Sequence, residues 1–188
     1  MTAPAGKIPA VFLDRDNTLN VDHGYTHRIE DFAWIPGAPE ALELFHRHGL
    51  ACFLVTNQGG IGKGLFSIAQ MAAFNDHLCH KAEGAGGRIT DIAFCAHHPE
   101  AVEARWKTPC SHRKPEPGMI LALAERWNID LAASVMIGDR DSDVTAGTAA
   151  GCHAYKFDGK LDGGNLAVLA RHILTQHFGD SGKDATHG

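Results

Sequence analysis

The sequence predicts an α/β fold in three layers, a mainly parallel central sheet with helices on both faces. Three observations predict it. Short apolar runs alternate with helical patterns through the 188 residues. Those runs are nearly continuous in apolar residues, as suits strands covered on both sides. Three of them, "VFLDRD", "FLVTNQGG" and "VMIGDRDSD", end in polar residues. A parallel sheet brings the carboxyl ends of its strands to one edge, where ligands bind.

The elements follow in order. "PAVFLD" (9–14) reads as the first strand. The loop 20–37, "NVDHGYTHRIEDFAWIPG", is longer than an ordinary strand-to-helix connection, which predicts a functional role. A helix over 39–49 has Pro39 near its start and Gly49 at its end. "ACFLVT" (51–56) is the second strand. Ser67 and Gln70 have capping-box spacing at the head of a helix over 67–84. "ITDIAFCA" (89–96) is the third strand, and "GMILALAERWN" (118–128) the next helix. "SVMIGD" (134–139), "DVTAGTAAG" (143–151), "CHAYKF" (152–157) and "NLAVLARHILTQHF" (165–178) complete the alternation. One domain over 1–178 is expected, with no linker or repeat. The polar, glycine-rich stretch 179–188 is expected to fray.

Bulk properties narrow the function classes. A net charge of −5, with acids and bases mixed, argues against a broad nucleic-acid surface. No apolar run approaches 18 residues, so no transmembrane helix is expected. The opening "MTAPAGKIPAVFL" lacks a charged region before a long apolar one, so no secretory signal is expected and the cytoplasm follows. Five cysteines, an odd number, suit free thiols or metal ligands better than a disulfide framework. A monomer is the default expectation.

The shared edge should gather Asp14, Asp16, Thr56, Asn57, Asp139 and Asp143. Any one aspartate after a strand is commonly a helix cap or a turn residue. All of them at one edge is not explained that way. Asp14 and Asp16, two apart on extended chain, point to one side. With Asp139 they would repel unless a cation lay between them, and hard oxygen ligands with room for water suit Mg²⁺. Lys114, Thr56 and the glycine-rich "NQGGIGKG" then make a phosphate pocket. A carboxylate beside the phosphorus can act as nucleophile, and a second can give and take the proton.

A second cluster is Cys95-x-His97, a gap of twelve, then Cys110-x-His112. Its four ligand types suit a structural Zn²⁺ in a loop over 95–112 that is poor in core-forming residues. The competing reading is two buried thiols and two surface histidines, and His98 competes with His97. Arg113 beside Lys114 offers two cations for phosphate oxygens, or a solvated basic pair. Lys63 is a candidate for a distal phosphate. His23 and Tyr25 are candidates for the rest of a substrate, or loop packing. Arg15, between two acids, reads as charge balance. Trp34, Trp106 and Trp127 read as core or loop anchors.

These residues resemble the haloacid dehalogenase (HAD) phosphatases. "DRDNT", Thr56 in "VTNQ", Lys114 in "RKPEPGM" and "GDRDSD" resemble the four motifs of that family, in order, across most of the chain. The resemblance implies a Rossmann-like fold, with Asp14 as nucleophile and Asp16 as general acid/base. It implies Mg²⁺ held by Asp14, the Asp16 carbonyl and Asp139, with Asp143 in support. The intervals from Asp14 to Thr56 and from Thr56 to Lys114 hold no separate cap domain, so an open, capless site is expected.

"FLDRDNTLNVDHGYTHRIEDF", "VTNQGGIGKGLF", "CAHHPE" and "CSHRKPEPGM" are similar to the D-glycero-D-manno-heptose 1,7-bisphosphate phosphatases. That resemblance implies removal of the C7 phosphate, in the making of lipopolysaccharide or surface glycans. It also implies substrate binding by Asn57, Arg113 and Lys114, and a zinc loop. The family pattern ends Cys-x-Cys, and this chain has His112 at the last place. Two rivals remain: the related histidinol-phosphate phosphatases, which "VDHGY" disfavours, and a zinc-stabilised binding module without catalysis. The partner expected is a small phosphorylated sugar, with no nucleic acid and no membrane.

Overall fold

The structure is a computed structural model that describes residues 6–179. The fraying expected over 179–188 lies, except for Gly179, outside those residues.

Five parallel strands form one sheet: β1 (Ala10–Leu13), β2 (Ala51–Asn57), β3 (Ile89–Cys95), β4 (Val135–Gly138) and β5 (His153–Lys156). Their order across the sheet is β3-β2-β1-β4-β5. The α-helices among the described residues are α1 (Ala38–Arg47), the single turn α2 (Gly59–Gly62), α3 (Ile68–Gly84), α4 (Gly118–Trp127), α5 (Asp141–Ala150) and α6 (Leu166–His177).

Alternate residues of each central strand go to opposite faces. Val11, Leu13, Cys52, Leu54, Val135 and Ile137 pack with Leu42 and Phe45 of α1 and with Leu169 and Ile173 of α6. Ala10, Phe12, Phe53, Val55 and Met136 pack instead with Ile120 and Leu123 of α4 and with Ala146 of α5. Each fully buried Val, Leu or Phe contributes roughly 1.5–3 kcal/mol of transfer free energy. Two-sided burial is why the strands read as unbroken apolar runs. It also pins their register, with Phe12 opposite Phe53 and Leu13 opposite both Leu54 and Ile137.

The local signals act as the sequence predicts. Ser67 Oγ accepts from the Gln70 amide at 3.2 Å, and Gln70 accepts from the Ser67 amide at 2.9 Å. The helix expected over 143–151 begins two residues earlier, at Asp141. The Asp143 carboxylate takes the Arg140 amide at 2.9 Å, so it closes the first turn instead of preceding it. The turn α2 falls within the glycine-rich stretch. All five cysteines are free. No helix among the described residues is long and apolar enough to cross a membrane.

Register delivers the polar strand ends to one place. β1 stops at Leu13 between β2 and β4, and the Asp14 amide donates to Ile137 O at 2.9 Å. Asp14 therefore stands in the middle of the carboxyl edge, flanked by the ends of both neighbours. The loop 20–37 lies over this edge as loop and one short 3₁₀ turn (Ile29–Asp31), and among the described residues no cap domain covers it.

Candidate active site

A cleft of about 300 Å³ opens at the carboxyl edge. Asp14, Asp16, Asn57, Arg113, Lys114 and Asp143 line it, as does Tyr25 from the loop 20–37.

At its floor Lys114 is buried between two buried acids. Its Nζ lies 2.6 Å from Asp14 Oδ1 and 2.6 Å from Asp143 Oδ1, and it donates to Val55 O at 2.7 Å. The ammonium has all three of its protons placed. Burial works against the charged lysine, yet its two acids hold its pKa above the usual value. Burial pushes the Asp14 carboxyl up to about 7; Lys114 opposes this, and Asp143 and Asp16 add to it. Gly138 makes the packing possible, since a Cβ there would stand 2.4 Å from the Asp143 carboxyl carbon.

Oxygens of Asp14, Asp139 and Asp143 lie within 4.8 Å of one another. Asp139 Oδ1 is buried without a hydrogen-bond partner. Burial and the nearby Asp143 both raise the Asp139 pKa. An orphaned carboxylate oxygen beside two further carboxylates is the donor set that a hard divalent cation needs, so Mg²⁺ fits. The Asp16 side chain is not in this group. Both its oxygens are engaged by Arg15, and one also by the Gln58 amide at 2.9 Å.

The other predicted residues differ in placement. Asn57 reaches the cleft, but its amide exchanges two bonds with the Lys114 backbone, at 3.0 and 3.1 Å. It ties the end of β2 to the loop that carries Lys114. Lys63 does not line the cleft; it ends α2, pairs with Glu100 at 2.6 Å and lies 5.4 Å from the Tyr25 ring centroid. His23 is exposed and off the cleft too, because its loop turns on Thr26 Oγ1, which accepts the His23 amide. Thr56 is buried just beneath, with Oγ1 accepting from Gln58 Nε2 at 2.8 Å. Its own hydroxyl proton stays available to a phosphoryl oxygen.

Among the lining residues, sequence reasoning missed the polar side chains of Asp22, Gln58, His98, Arg140 and Ser142. Gln58 and Arg140 sit inside the quoted motifs, so position was the available signal. His98 was weighed only as a zinc ligand. Its Nδ1 accepts the Glu100 amide at 3.0 Å, which leaves Nε2 to carry the proton in the neutral ring. Gly59 lets this ring approach, since a Cβ there would meet His98 Cδ2 at 2.8 Å.

In the loop 95–112, Cys95, His97 and Cys110 bring one donor each within 4.8 Å of one another. His112 is outside that group: it is exposed, on the turn that leads into α4, with Nδ1 3.5 Å from Ser111 Oγ. Burial pushes the Cys95 thiol up to about 11. Two sulfurs and an imidazole are a soft donor set suited to zinc. Arg113 is anchored to the same loop through His97 O at 2.7 Å, so the loop's order and the cleft's cation are linked.

A parallel sheet whose central strand delivers a buried aspartate to a lysine and further carboxylates defines a HAD-type phosphoryl hydrolase. Residues 111–156 match the family model described as HAD-hydrolase-like. Over 176 residues the chain is 40% identical to the D-glycero-beta-D-manno-heptose-1,7-bisphosphate 7-phosphatase of Rhodopseudomonas palustris, covering 94% of this chain and 96% of the relative. The enzyme of that name from Escherichia coli K12 is 40% identical over 78% of this chain and 76% of its own. The chain belongs to this heptose-bisphosphate phosphatase family. Among solved structures, the D,D-heptose 1,7-bisphosphate phosphatase from B. bronchiseptica, complexed with magnesium and phosphate, superposes with a TM-score of 0.77. It is 28% identical and is matched over 90% of this chain and 99% of that one.

Proposed function

We propose that this chain is a Mg²⁺-dependent phosphatase that removes the C7 phosphate of D-glycero-β-D-manno-heptose 1,7-bisphosphate and leaves heptose 1-phosphate. The observation that carries it is the buried Asp14–Lys114–Asp143 row opening onto a cleft that also holds Asp16 and Arg113. The sugar and its β anomer rest on the relatives' names.

Lys114 holds Asp14 Oδ1, which leaves Oδ2 to attack the phosphorus. As that bond forms, the bond from phosphorus to the C7 oxygen breaks and Asp16 gives the leaving oxygen a proton. Water then attacks the aspartyl-phosphate, Asp16 takes the water's proton, and the Asp14–phosphorus bond breaks. Thr56 donates to a phosphoryl oxygen. Arg113, with His98 near it and Arg140 also lining the cleft, receives the second phosphate. Mg²⁺ on Asp14, Asp139 and the Asp16 carbonyl, with Asp143 in support, would neutralise charge on the phosphoryl oxygens.

Phosphate release measured side by side tests the substrate. The β-heptose bisphosphate is expected to exceed the α anomer and histidinol phosphate in kcat/KM by at least about tenfold. A preference for histidinol phosphate would overturn the assignment.

Below about pH 7 a proton competes with a cation for Asp14. Saturating Mg²⁺ is therefore expected to raise Tm by about 5 °C at pH 8 and by little at pH 5.5. Equal shifts at the two pH values would place the ion elsewhere.

We further propose one structural Zn²⁺ per chain on Cys95, His97 and Cys110. Elemental analysis is expected to find it in the wild type and to find it lost in Cys110→Ser. It is expected to persist in His112→Ala, because the three donors converge without that ring. Loss in His112→Ala would make His112 the fourth ligand.

A further inference from the structure

We propose that Arg15 is a positioning residue that holds the Asp16 carboxyl group in line, so that in its acid form it gives its proton to the leaving oxygen. The proposal rests on the phosphatase reading above.

Arg15 stands between the two acids in sequence but does not serve both. Asp14 takes Lys114. Arg15 turns away from the cleft into full burial and grips Asp16 with two prongs. Nε reaches Oδ1 at 3.0 Å and Nη2 reaches Oδ2 at 3.0 Å. A guanidinium matches a carboxylate in this way because both are planar and their spacings agree.

The fork is itself fixed from three separate segments. Nη1 donates to Asn75 Oδ1 of α3 at 3.0 Å. Nη2 also donates to Thr26 O in the long loop at 2.9 Å and to Gln58 Oε1 at 3.2 Å. The guanidinium carbon stands 4.7 Å from the centroid of Phe74, also on α3. Gln58 closes the ring, since its Nε2 donates both to Asp16 Oδ2 and to Thr56 Oγ1.

Core packing alone does not account for this. A buried cation is expensive to desolvate, and an apolar side chain would fill the same volume at no such cost. What the cation adds is geometry. Each Asp16 oxygen receives two donors, with Asn20 Nδ2 the second on Oδ1 at 3.3 Å. The Asp16 side chain keeps 19% exposure, the edge that faces the cleft. Proton transfer is sensitive to such placement, and an error of about 1 Å can cost on the order of 10²-fold.

The test compares kcat/KM for an alkyl ester, the heptose bisphosphate, with that for p-nitrophenyl phosphate, both with Mg²⁺. Nitrophenolate leaves without a proton, whereas a sugar alkoxide does not. kcat/KM reports only steps through the first phosphorus–oxygen cleavage, so the later water step does not enter. Arg15→Met is expected to lose about 10²-fold on the alkyl ester and less than about 3-fold on the aryl ester. Arg15→Lys keeps the charge without the fork and is expected to behave like Arg15→Met. Asn75→Leu removes a remote anchor of the fork and is expected to lose about 3–10-fold on the alkyl ester alone.

Equal losses on the two esters, or no loss on either, would overturn the proposal. If Arg15→Met does not fold, the Asn75→Leu contrast decides. Asp16→Asn is the benchmark. If it shows the contrast and the Arg15 and Asn75 variants do not, the inference alone falls. If Asp16→Asn turns over the alkyl ester normally, or the wild type releases phosphate from neither ester, the phosphatase reading falls and the inference with it.

Discussion

Asp14→Asn is expected to lower phosphate release at least about 10⁴-fold while leaving the fold intact. The amide is nearly isosteric with the carboxylate, so the packing at the end of β1 is kept. It is a poor nucleophile, and the other carboxylate beside Lys114, Asp143, is held by the Arg140 amide in the first turn of α5. Stability should change little near neutral pH. Burial pushes the wild-type carboxyl up to about 7, so folding favours its neutral form, which the neutral amide resembles. Lys114 keeps Asp143 as its partner in the variant. The measurement pairs phosphate release with a thermal melt. A Tm within about 3 °C of wild type with activity lost makes Asp14 the nucleophile. Wild-type turnover in the variant would remove Asp14 from the chemistry.

Lys114→Met should damage stability as well as rate. The lysine is the cation between two buried carboxylates, and removing it leaves them facing each other without a counter-charge. Breaking a buried pair in this way costs about 3–5 kcal/mol, which for a chain of this size is a fall in Tm of about 10 °C. Turnover should fall about 10³-fold, since the positive charge that orients Asp14 and meets the phosphoryl group is lost. Because the defect is a missing cation, Mg²⁺ should recover part of the lost Tm and little of the lost turnover. A variant as stable as wild type without metal would mean that Asp14 and Asp143 are not both charged in the native protein.

Much of the fold was legible because its signals are local. The apolar runs ending at Asp14, Thr56 and Asp139 state both where strands lie and where they stop. The Ser67–Gln70 box and the glycine after α1 mark helix ends within a few residues of chain. The acids at the edge were legible for a related reason: Asp14 and Asp139 directly follow buried strands, and Asp16 and Asp143 lie a few residues further on, so topology puts them together. Asn57, Lys63 and His23 were harder. Each lies close in sequence to the cleft, but the Asn57 and Lys63 side chains turn to the Lys114 backbone and to Glu100, and the His23 backbone amide is held by Thr26 in a local turn, none of which proximity in sequence predicts. His98 was harder still, since Gly59 admits its ring from a distant loop.

The sequence by itself determined the parallel α/β frame, the placing of Asp14, Asp16, Lys114, Asp139 and Asp143 at one edge, and the soft-ligand loop. Strand register follows from two-sided burial, and burial is written in residue types. Only the tertiary structure decided which acid meets which cation: Lys114 goes to Asp14 and Asp143, and Arg15 goes to Asp16. It also decided that His112 stays apart while Cys95, His97 and Cys110 converge. Those outcomes depend on directions and distances of a few ångströms between segments far apart in the chain. Hydrogen bonds and ion pairs are sensitive to such distances, while a linear pattern records only which groups are available.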